Sequence, residues 1–170
     1  MVRLIARSAA QDLLPIEGPG VRVEEAAFAP LTSLAGDIGG ALKAAHGLDL
    51  PAPGQVASDG VRHCLWFGRA HWMLIGVEGD APFAGTVTDQ SDAWCRVVMS
   101  GARAAEALSY LTPIDLRDGA FPVGVLARTQ IKHLNASIWR REAKVYELMA
   151  FRSMAVTLVH DLKEAMRSLP

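Results

Sequence analysis

The stretch "TVTDQSDAWCRVVMSGARAAEAL", residues 86–108, brings two carboxylates, a serine, a tryptophan and a cysteine together just before a helical pattern. Its central part alternates between two faces, as a half-buried strand does: Ala93, Cys95, Val97 and Met99 against Trp94, Arg96 and Val98. The helix that follows has one apolar face, and Ser100 is placed to cap it. The stretch therefore predicts a turn, a strand and a helix. Its polar residues are candidates for an active site.

The composition limits the classes of function. The 170 residues predict a single domain spanning 1–170. A net charge of -1 with dispersed Arg and Lys gives no electrostatic reason to expect nucleic acid or an anionic membrane as partner. No window approaches the ~20 apolar residues of a membrane helix. The hydrophobic share of 51% favours a chain that covers apolar surface with a partner.

Two cysteines, Cys64 and Cys95, are too few for a disulfide scaffold. Both lie in strand-like apolar runs, which predicts reduced, buried thiols. Reduced thiols in turn predict a cytoplasmic protein.

Periodicity predicts an alternation of strands and helices along the chain. We expect a strand at 21–28, a helix at 36–47 with Asp37 as N-cap and Gly47 as stop, and a hairpin from 61–68 and 71–77. The order then repeats: a strand at 93–101, a helix at 101–111, strands at 123–140 (bent near His133) and 144–150, and a closing helix at 151–169. This order predicts an α+β fold of two βαββ units, with mainly antiparallel sheet, packed helices and a C-terminal helix.

Two ligand sites can be tested from spacing. Gly36, Gly39 and Gly40 begin a helix, but they match neither the dinucleotide nor the P-loop fingerprint, so a helix start is the better interpretation than a phosphate loop. A zinc site would use His63, Cys64 and His71. Neighbouring strand residues point to opposite faces, and the two histidines of such a hairpin lie about 13 Å apart. We therefore expect no metal in this chain.

Two catalytic arrangements are also conceivable. Cys95 or Ser91 could be a nucleophile with His133 or His160 as a distant base, although no G-x-S-x-G turn is present and a buried thiol is the simpler interpretation of Cys95. Asp89 and Asp92 could be a general acid/base pair, or they could satisfy backbone N–H groups in a bend.

Several pieces of the sequence resemble the gamma subunit of bacterial heterotetrameric sarcosine oxidase. They are "VTDQSDAW", "MSGARAAEAL", "TPIDL", "FPVGVLARTQIKHLNASIWRR" and "YELMAFRSMAVTLVHDL", and the likeness is best over residues 86–168. The residues that carry it, which we interpret as a fold signature, include Asp89, Ser91, Asp92, Ser100, Gly101 and Asp115. The Asp-x-Ser, strand and Ser-Gly helix pattern is also similar to the folate-binding module of aminomethyltransferases, which implies a related fold.

This resemblance implies a small accessory subunit whose partners are alpha, beta and delta chains. Such complexes oxidise sarcosine at a flavin, pass the methyl-derived carbon to tetrahydrofolate or release it as formaldehyde, and reduce O₂ to hydrogen peroxide. It further implies that FAD, FMN, NAD, zinc and tetrahydrofolate belong to the other subunits, and that this chain has no catalytic, cofactor or metal residues of its own. Because aromatic residues anchor interfaces, Trp66, Trp72 and Trp139 are candidate contacts, or else ordinary core residues.

Two other functions stay open at this point. One is a free-standing folate-binding or aminomethyl-transferring module, with Asp89 or Asp92 as a partner of the pterin or the amine. The other is a ligand-free oligomeric scaffold, suggested by the apolar composition alone.

Overall fold

The structure of the chain, a computed structural model, describes residues 5–77 and 85–170. These residues divide into two compact units. Unit 2 comprises residues 27–93 and 124–128, and unit 1 comprises 1–26, 94–123 and 129–170. The prediction of one domain over 1–170 is not decided by this division and stays a prediction.

Unit 2 is built on a five-stranded antiparallel sheet with the strand order β4-β5-β6-β3-β7. One helix, α1, covers an apolar cluster that includes Leu34, Leu42 and Leu74. The elements are β3 (Leu31–Ala35), α1 (Gly39–His46), β4 (Val56–Ser58), β5 (His63–Gly68), β6 (His71–Ile75) and β7 (Thr86–Asp89).

Unit 1 contains strands of a six-stranded sheet with the order β1-β2-β8-β11-β10-β9. Helices α2 and α3 contact each other and strands of this sheet. The elements are β1 (Ile16–Gly18), β2 (Val21–Glu25), β8 (Trp94–Ser100), α2 (Ala104–Ser109), β9 (Leu126–Ile131), β10 (Leu134–Glu142), β11 (Val145–Phe151) and α3 (Ala155–Arg167).

The mixed α+β class, the antiparallel pairing and the C-terminal helix are confirmed. The β5–β6 hairpin, the β8 strand and the apolar face of α2 also lie where the sequence predicts them. In α2 and the turn after it, Ala104, Ala107, Leu108 and Leu111 are all buried. The predicted bend near His133 is a turn between two separate strands, β9 and β10.

Three local predictions are wrong. The strand at 21–28 is shorter and belongs to the six-stranded sheet, so the strand before α1 is instead β3. The N-cap of α1 is Ile38 rather than Asp37, whereas Gly47 does end the helix in the left-handed conformation. The N-cap of α2 is Arg103, because Ser100 is still the last residue of β8.

Gly101 lets the chain turn from β8 toward α2. Its φ is +129°, and a Cβ at this position would lie 2.1 Å from the carbonyl oxygen of Gly20. The same Gly20 oxygen accepts the N–H of Arg103 at 3.2 Å, and the N–H of Gly101 donates to the carbonyl of Lys144. At Gly101 the chain therefore comes so close to the backbone of Gly20 that only glycine fits.

We predict that Gly101→Ala lowers the free energy of unfolding by about 3 kcal/mol, because the added Cβ overlaps backbone and the φ is unfavourable for any other residue. Gly119→Ala is the matched control, since a Cβ there meets nothing within 4 Å. It should change stability by less than about 0.5 kcal/mol. Chemical denaturation of both variants checks this, and equal stabilities would contradict it.

Candidate functional site

The polar turn at residues 89–92 connects the end of β7 to the start of β3 by side-chain hydrogen bonds. The Asp89 carboxylate accepts the Ser91 N–H at 2.9 Å and the Ser91 hydroxyl at 2.6 Å. The Ser91 oxygen in turn accepts the N–H of buried Leu31 at 3.0 Å. The Ser91 hydroxyl and N–H lower the pKa of Asp89, so this carboxyl stays ionised at neutral pH and is not a proton donor. Asp92 is exposed beside it.

Both thiols are buried and free of disulfide bonds, as predicted. Burial raises the pKa of Cys64 to about 12 and that of Cys95 to about 11. A thiol of that pKa is protonated at neutral pH and is a poor nucleophile. His133 and His160, the bases considered for Cys95, are both exposed.

Two of the three histidines of unit 2, His63 and His71, lie within hydrogen-bond distance of serines. His63 Nδ1 lies 2.7 Å from Ser58 Oγ, and His71 Nε2 lies 2.8 Å from Ser33 Oγ. Burial, followed by the charge of Arg128, lowers the pKa of His71 and favours the neutral ring. Among residues 5–77 and 85–170, no group of three or more His, Cys, Asp or Glu is arranged to hold a metal ion.

Asp115 lies in a surface groove of about 540 Å³ between α2 and the loop at 114–118. Arg117 donates side-chain and backbone hydrogen bonds to its carboxylate, which lowers the pKa of Asp115 to about 2. Asp115 therefore stabilises the conformation of its own loop.

In the described part of the chain, no helix is both long and apolar enough to cross a membrane.

The three tryptophans predicted as contacts have different surroundings. Trp66 and Trp72 face each other across the β5–β6 hairpin and are half-buried, and Trp72 packs against the apolar cluster under α1. Trp139 is 6% exposed and lies on β10. Their role as interface residues stays a prediction.

A buried charge cluster lies around Trp139, and we call it the Glu147 cluster; its members are Arg96, Trp139, Arg141 and Glu147. In the register of three neighbouring strands, Val98, Glu147 and Trp139 stand side by side. Arg96 lies two residues before Val98 and hence on the same face. The opposite face of the sheet is apolar and carries Cys95, Val97, Met99 and Leu148.

Glu147 is the centre of this cluster. Its side chain is 1% exposed, and its two oxygens have different partners. Arg96 donates to Oε1 from Nε at 2.7 Å and from Nη2 at 2.6 Å, while Arg141 donates from Nη1 to Oε2 at 3.0 Å. A buried carboxylate left without partners would cost several kcal/mol, so the contacts with the two guanidiniums stabilise Glu147 inside the protein.

Arg141 lies at a β-bulge of β10. Arg140 pairs with Tyr146 and Glu142 pairs with Val145, so Arg141 is the extra residue of β10. Arg141 follows Trp139 by two residues, as residues on one face of a strand do, and its guanidinium lies 5.2 Å from the ring centroid of Trp139, within the range of cation–π attraction. The preceding Arg140 is instead buried and donates to the carbonyl oxygens of Phe121 and Ala143. The two adjacent arginines therefore have different environments.

An exposed apolar patch lies where β11 passes into α3. Its members Phe151, Met154 and Val156 are 49%, 41% and 65% exposed. Phe151 stacks on Trp94 with ring centroids 4.7 Å apart. Exposed apolar residues concentrated within six positions of one element junction are typical of a surface that a partner covers.

One solved structure is similar to this chain over almost its whole length: heterotetrameric sarcosine oxidase from Corynebacterium sp. U-96 in complex with pyrrole 2-carboxylate. The TM-score is 0.84, the sequences are 28% identical, and the match covers 95% of each chain. The chain resembles heterotetrameric sarcosine oxidase. No family model matches the sequence, and no curated protein matches it.

The sarcosine oxidase likeness confirms the resemblance seen in the sequence and extends it beyond residues 86–168, since the match includes the N-terminal half. It does not distinguish which of the four subunits is matched. The relation to the aminomethyltransferase module is not decided by it.

The Asp-x-Ser turn gives a direct test of the question raised by the opening stretch. We predict that Ser91→Ala lowers the free energy of unfolding by about 1.5 kcal/mol, because the Leu31 N–H loses its acceptor. The control is Ser109→Ala on α2, whose exposed hydroxyl donates to the Glu106 carbonyl; we expect a change below about 0.5 kcal/mol. A catalytic turn would instead abolish turnover of an active complex while stability stayed at the wild-type value.

Proposed function

We propose that this chain is a gamma-type accessory subunit of a heterotetrameric sarcosine oxidase. In this proposal the complex removes two electrons from the C–N bond of sarcosine and passes them to O₂, which leaves as hydrogen peroxide. Glycine is the other product. The methyl-derived carbon leaves as formaldehyde when water hydrolyses the imine formed by oxidation, or as 5,10-methylenetetrahydrofolate when tetrahydrofolate takes it up. The complex is then an oxidoreductase, and its alpha, beta and delta subunits are the partners of this chain.

The single observation that carries the proposal is the likeness to a chain of heterotetrameric sarcosine oxidase at 28% identity across 95% of both chains. A TM-score of 0.84 over that length makes the similarity one of the whole chain rather than of a shared motif. The gamma assignment rests on the sequence resemblance at residues 86–168.

The pKa values of the candidate catalytic groups favour a non-catalytic role for this chain within the complex. Local donors lower the pKa of Asp89 and of Asp115, and burial raises the pKa of both thiols. These four groups do not exchange protons near neutral pH. In the proposal, which follows the family resemblance on this point, FAD, FMN, NAD, zinc and tetrahydrofolate are carried by the other subunits.

Two surfaces of unit 1 offer contacts to such partners. One is the apolar patch of Phe151, Met154 and Val156, which a permanent interface would remove from water. The other is the Glu147 cluster, where Trp139 and Arg141 are of the residue types that dominate interface energetics.

We predict that the isolated chain is colourless, binds neither flavin nor NAD and does not oxidise sarcosine, yet elutes with the flavin-containing chains after co-expression with alpha, beta and delta subunits. Size-exclusion chromatography with flavin absorbance followed across the peak is the measurement. Co-expression with an unrelated flavoprotein controls for non-specific apolar association. Elution apart from the flavin-containing chains would contradict the proposal, and folate bound by the isolated chain would favour the aminomethyl-transfer alternative.

A further inference from the structure

We propose that Arg141 is the receptor for an acidic side chain of a partner subunit, so that the Glu147 cluster forms the polar centre of a subunit interface. The inference rests on the proposed function, because it needs a partner chain. Its occupant is an Asp or Glu carboxylate, presented from the surface of that partner.

The hydrogen bonding of Arg141 is incomplete. A guanidinium has five N–H donors arranged in a fixed fork. Within residues 5–77 and 85–170, Arg141 donates a hydrogen bond only to Glu147 Oε2, from Nη1. Its side chain is 35% exposed, so part of it is accessible from outside the chain. One nitrogen of the fork is bound to Glu147, and the proposal is that the remaining N–H groups donate to a second carboxylate in the bidentate manner that arginine favours.

The charge of Arg141 is only partly neutralised. Glu147 carries one negative charge, and Arg96 holds its Oε1 through two donors at 2.7 and 2.6 Å. The carboxylate is shared between two cations, of which Arg141 has the longer contact at 3.0 Å and the greater exposure. A second acid at Arg141 would supply the missing charge, which is the complementarity that selects partners at interfaces.

Arg141 is also held in place before any partner arrives. Its Nη1 donates to Glu147 Oε2 at 3.0 Å, and the centroid of the Trp139 ring lies 5.2 Å from its guanidinium carbon. A long side chain loses rotamer freedom when it binds, and fixing it in advance removes much of that cost. Tryptophan and arginine that are packed together in this way are the most frequent residues of interface hot spots.

A protein carboxylate suits this site better than a free one. Arg141 lies at the end of β10, next to the turn that leads into β11, and is exposed on one side. An exposed single guanidinium holds a small carboxylate weakly against water, whereas an interface excludes water and strengthens the same pair. The similar protein is itself an assembly of four different chains.

The test compares Arg141→Gln with the wild-type chain in the complete assembly. This chain is immobilised, the purified complex of alpha, beta and delta subunits is bound to it, and dissociation is followed by biolayer interferometry. We expect Arg141→Gln to dissociate about 10- to 100-fold faster, because losing one member of a buried charge pair acts mainly on the dissociation rate. Arg141→Lys keeps the charge and loses the fork, so it should lie between the two.

Two controls separate recognition from folding. Arg167→Gln removes an arginine of α3 that is 64% exposed and paired with Glu164, and it should dissociate as the wild-type chain does. Thermal unfolding of Arg141→Gln should stay cooperative, since Glu147 keeps its pair with Arg96. In addition, raising the NaCl concentration should accelerate dissociation of the wild-type chain more than that of Arg141→Gln.

The outcomes distinguish the inference from the function on which it rests. If the wild-type chain binds the other subunits and a cooperatively folded Arg141→Gln dissociates at the same rate, the inference is wrong and the proposed function stands. If the wild-type chain does not bind them at all, both are wrong. Faster dissociation of Arg141→Gln with unchanged Arg167→Gln supports the inference.

Discussion

The pairing of the buried Glu147 carboxylate with Arg96 and Arg141 is the constraint around which unit 1 is organised. The three residues come from β11, β8 and β10, so their contacts tie together the central strands of the six-stranded sheet. An ion pair at this position is not needed for stability as such, because apolar residues of similar volume often serve as well or better. The pairing instead fixes positions, because each of the two oxygens of the Glu147 carboxylate holds one of the two guanidiniums. The most direct consequence concerns Arg141, whose Nη1 is bound to Glu147 while its side chain stays 35% exposed.

The residues that drew attention in the sequence have a different role. Asp89 and Ser91 fasten β7 to β3, and Gly101 permits a backbone contact with Gly20 that no other residue tolerates. Asp89 Oδ1, the Ser91 hydroxyl and the Gly101 N–H are all engaged in hydrogen bonds within the fold. The residues of this turn are therefore different from those proposed to contact a partner. Residues 86–108 nevertheless include both kinds, because Trp94, which stacks on Phe151, and Arg96, which binds Glu147, follow directly after the turn.

The sequence predicts those strands and helices that bury one face and expose the other, because their apolar residues then recur with a regular period. Strand β8 and helix α3 have a clear apolar period, whereas β3, β4 and β7 are short, and the edge strand β7 is exposed on most positions, so no alternation marks it. Of the Glu147 cluster, only Trp139 is predicted as a contact, and from its residue type alone. Glu147 and Arg96 are lone charges within apolar strand runs, which is the one signal that would have indicated a buried pair. That they meet depends on the register of β8 and β11, and the contact of Arg141 with Glu147 depends on the register of β10 and β11; neither register can be read from residue order.

Asp89 and Asp115 have lowered pKa values and the two thiols have raised ones, which fits the proposal of a subunit that supports chemistry performed elsewhere. The central claim is that the Glu147 cluster meets a partner in the assembled enzyme. A cryo-electron-microscopy structure of the co-purified complex tests it most directly. We predict that the side chain of Arg141 is covered by another subunit, with an Asp or Glu oxygen of that subunit within about 3 Å of its guanidinium nitrogens. A complex in which Arg141 remains exposed to solvent, with no partner chain over Trp139, would contradict the account.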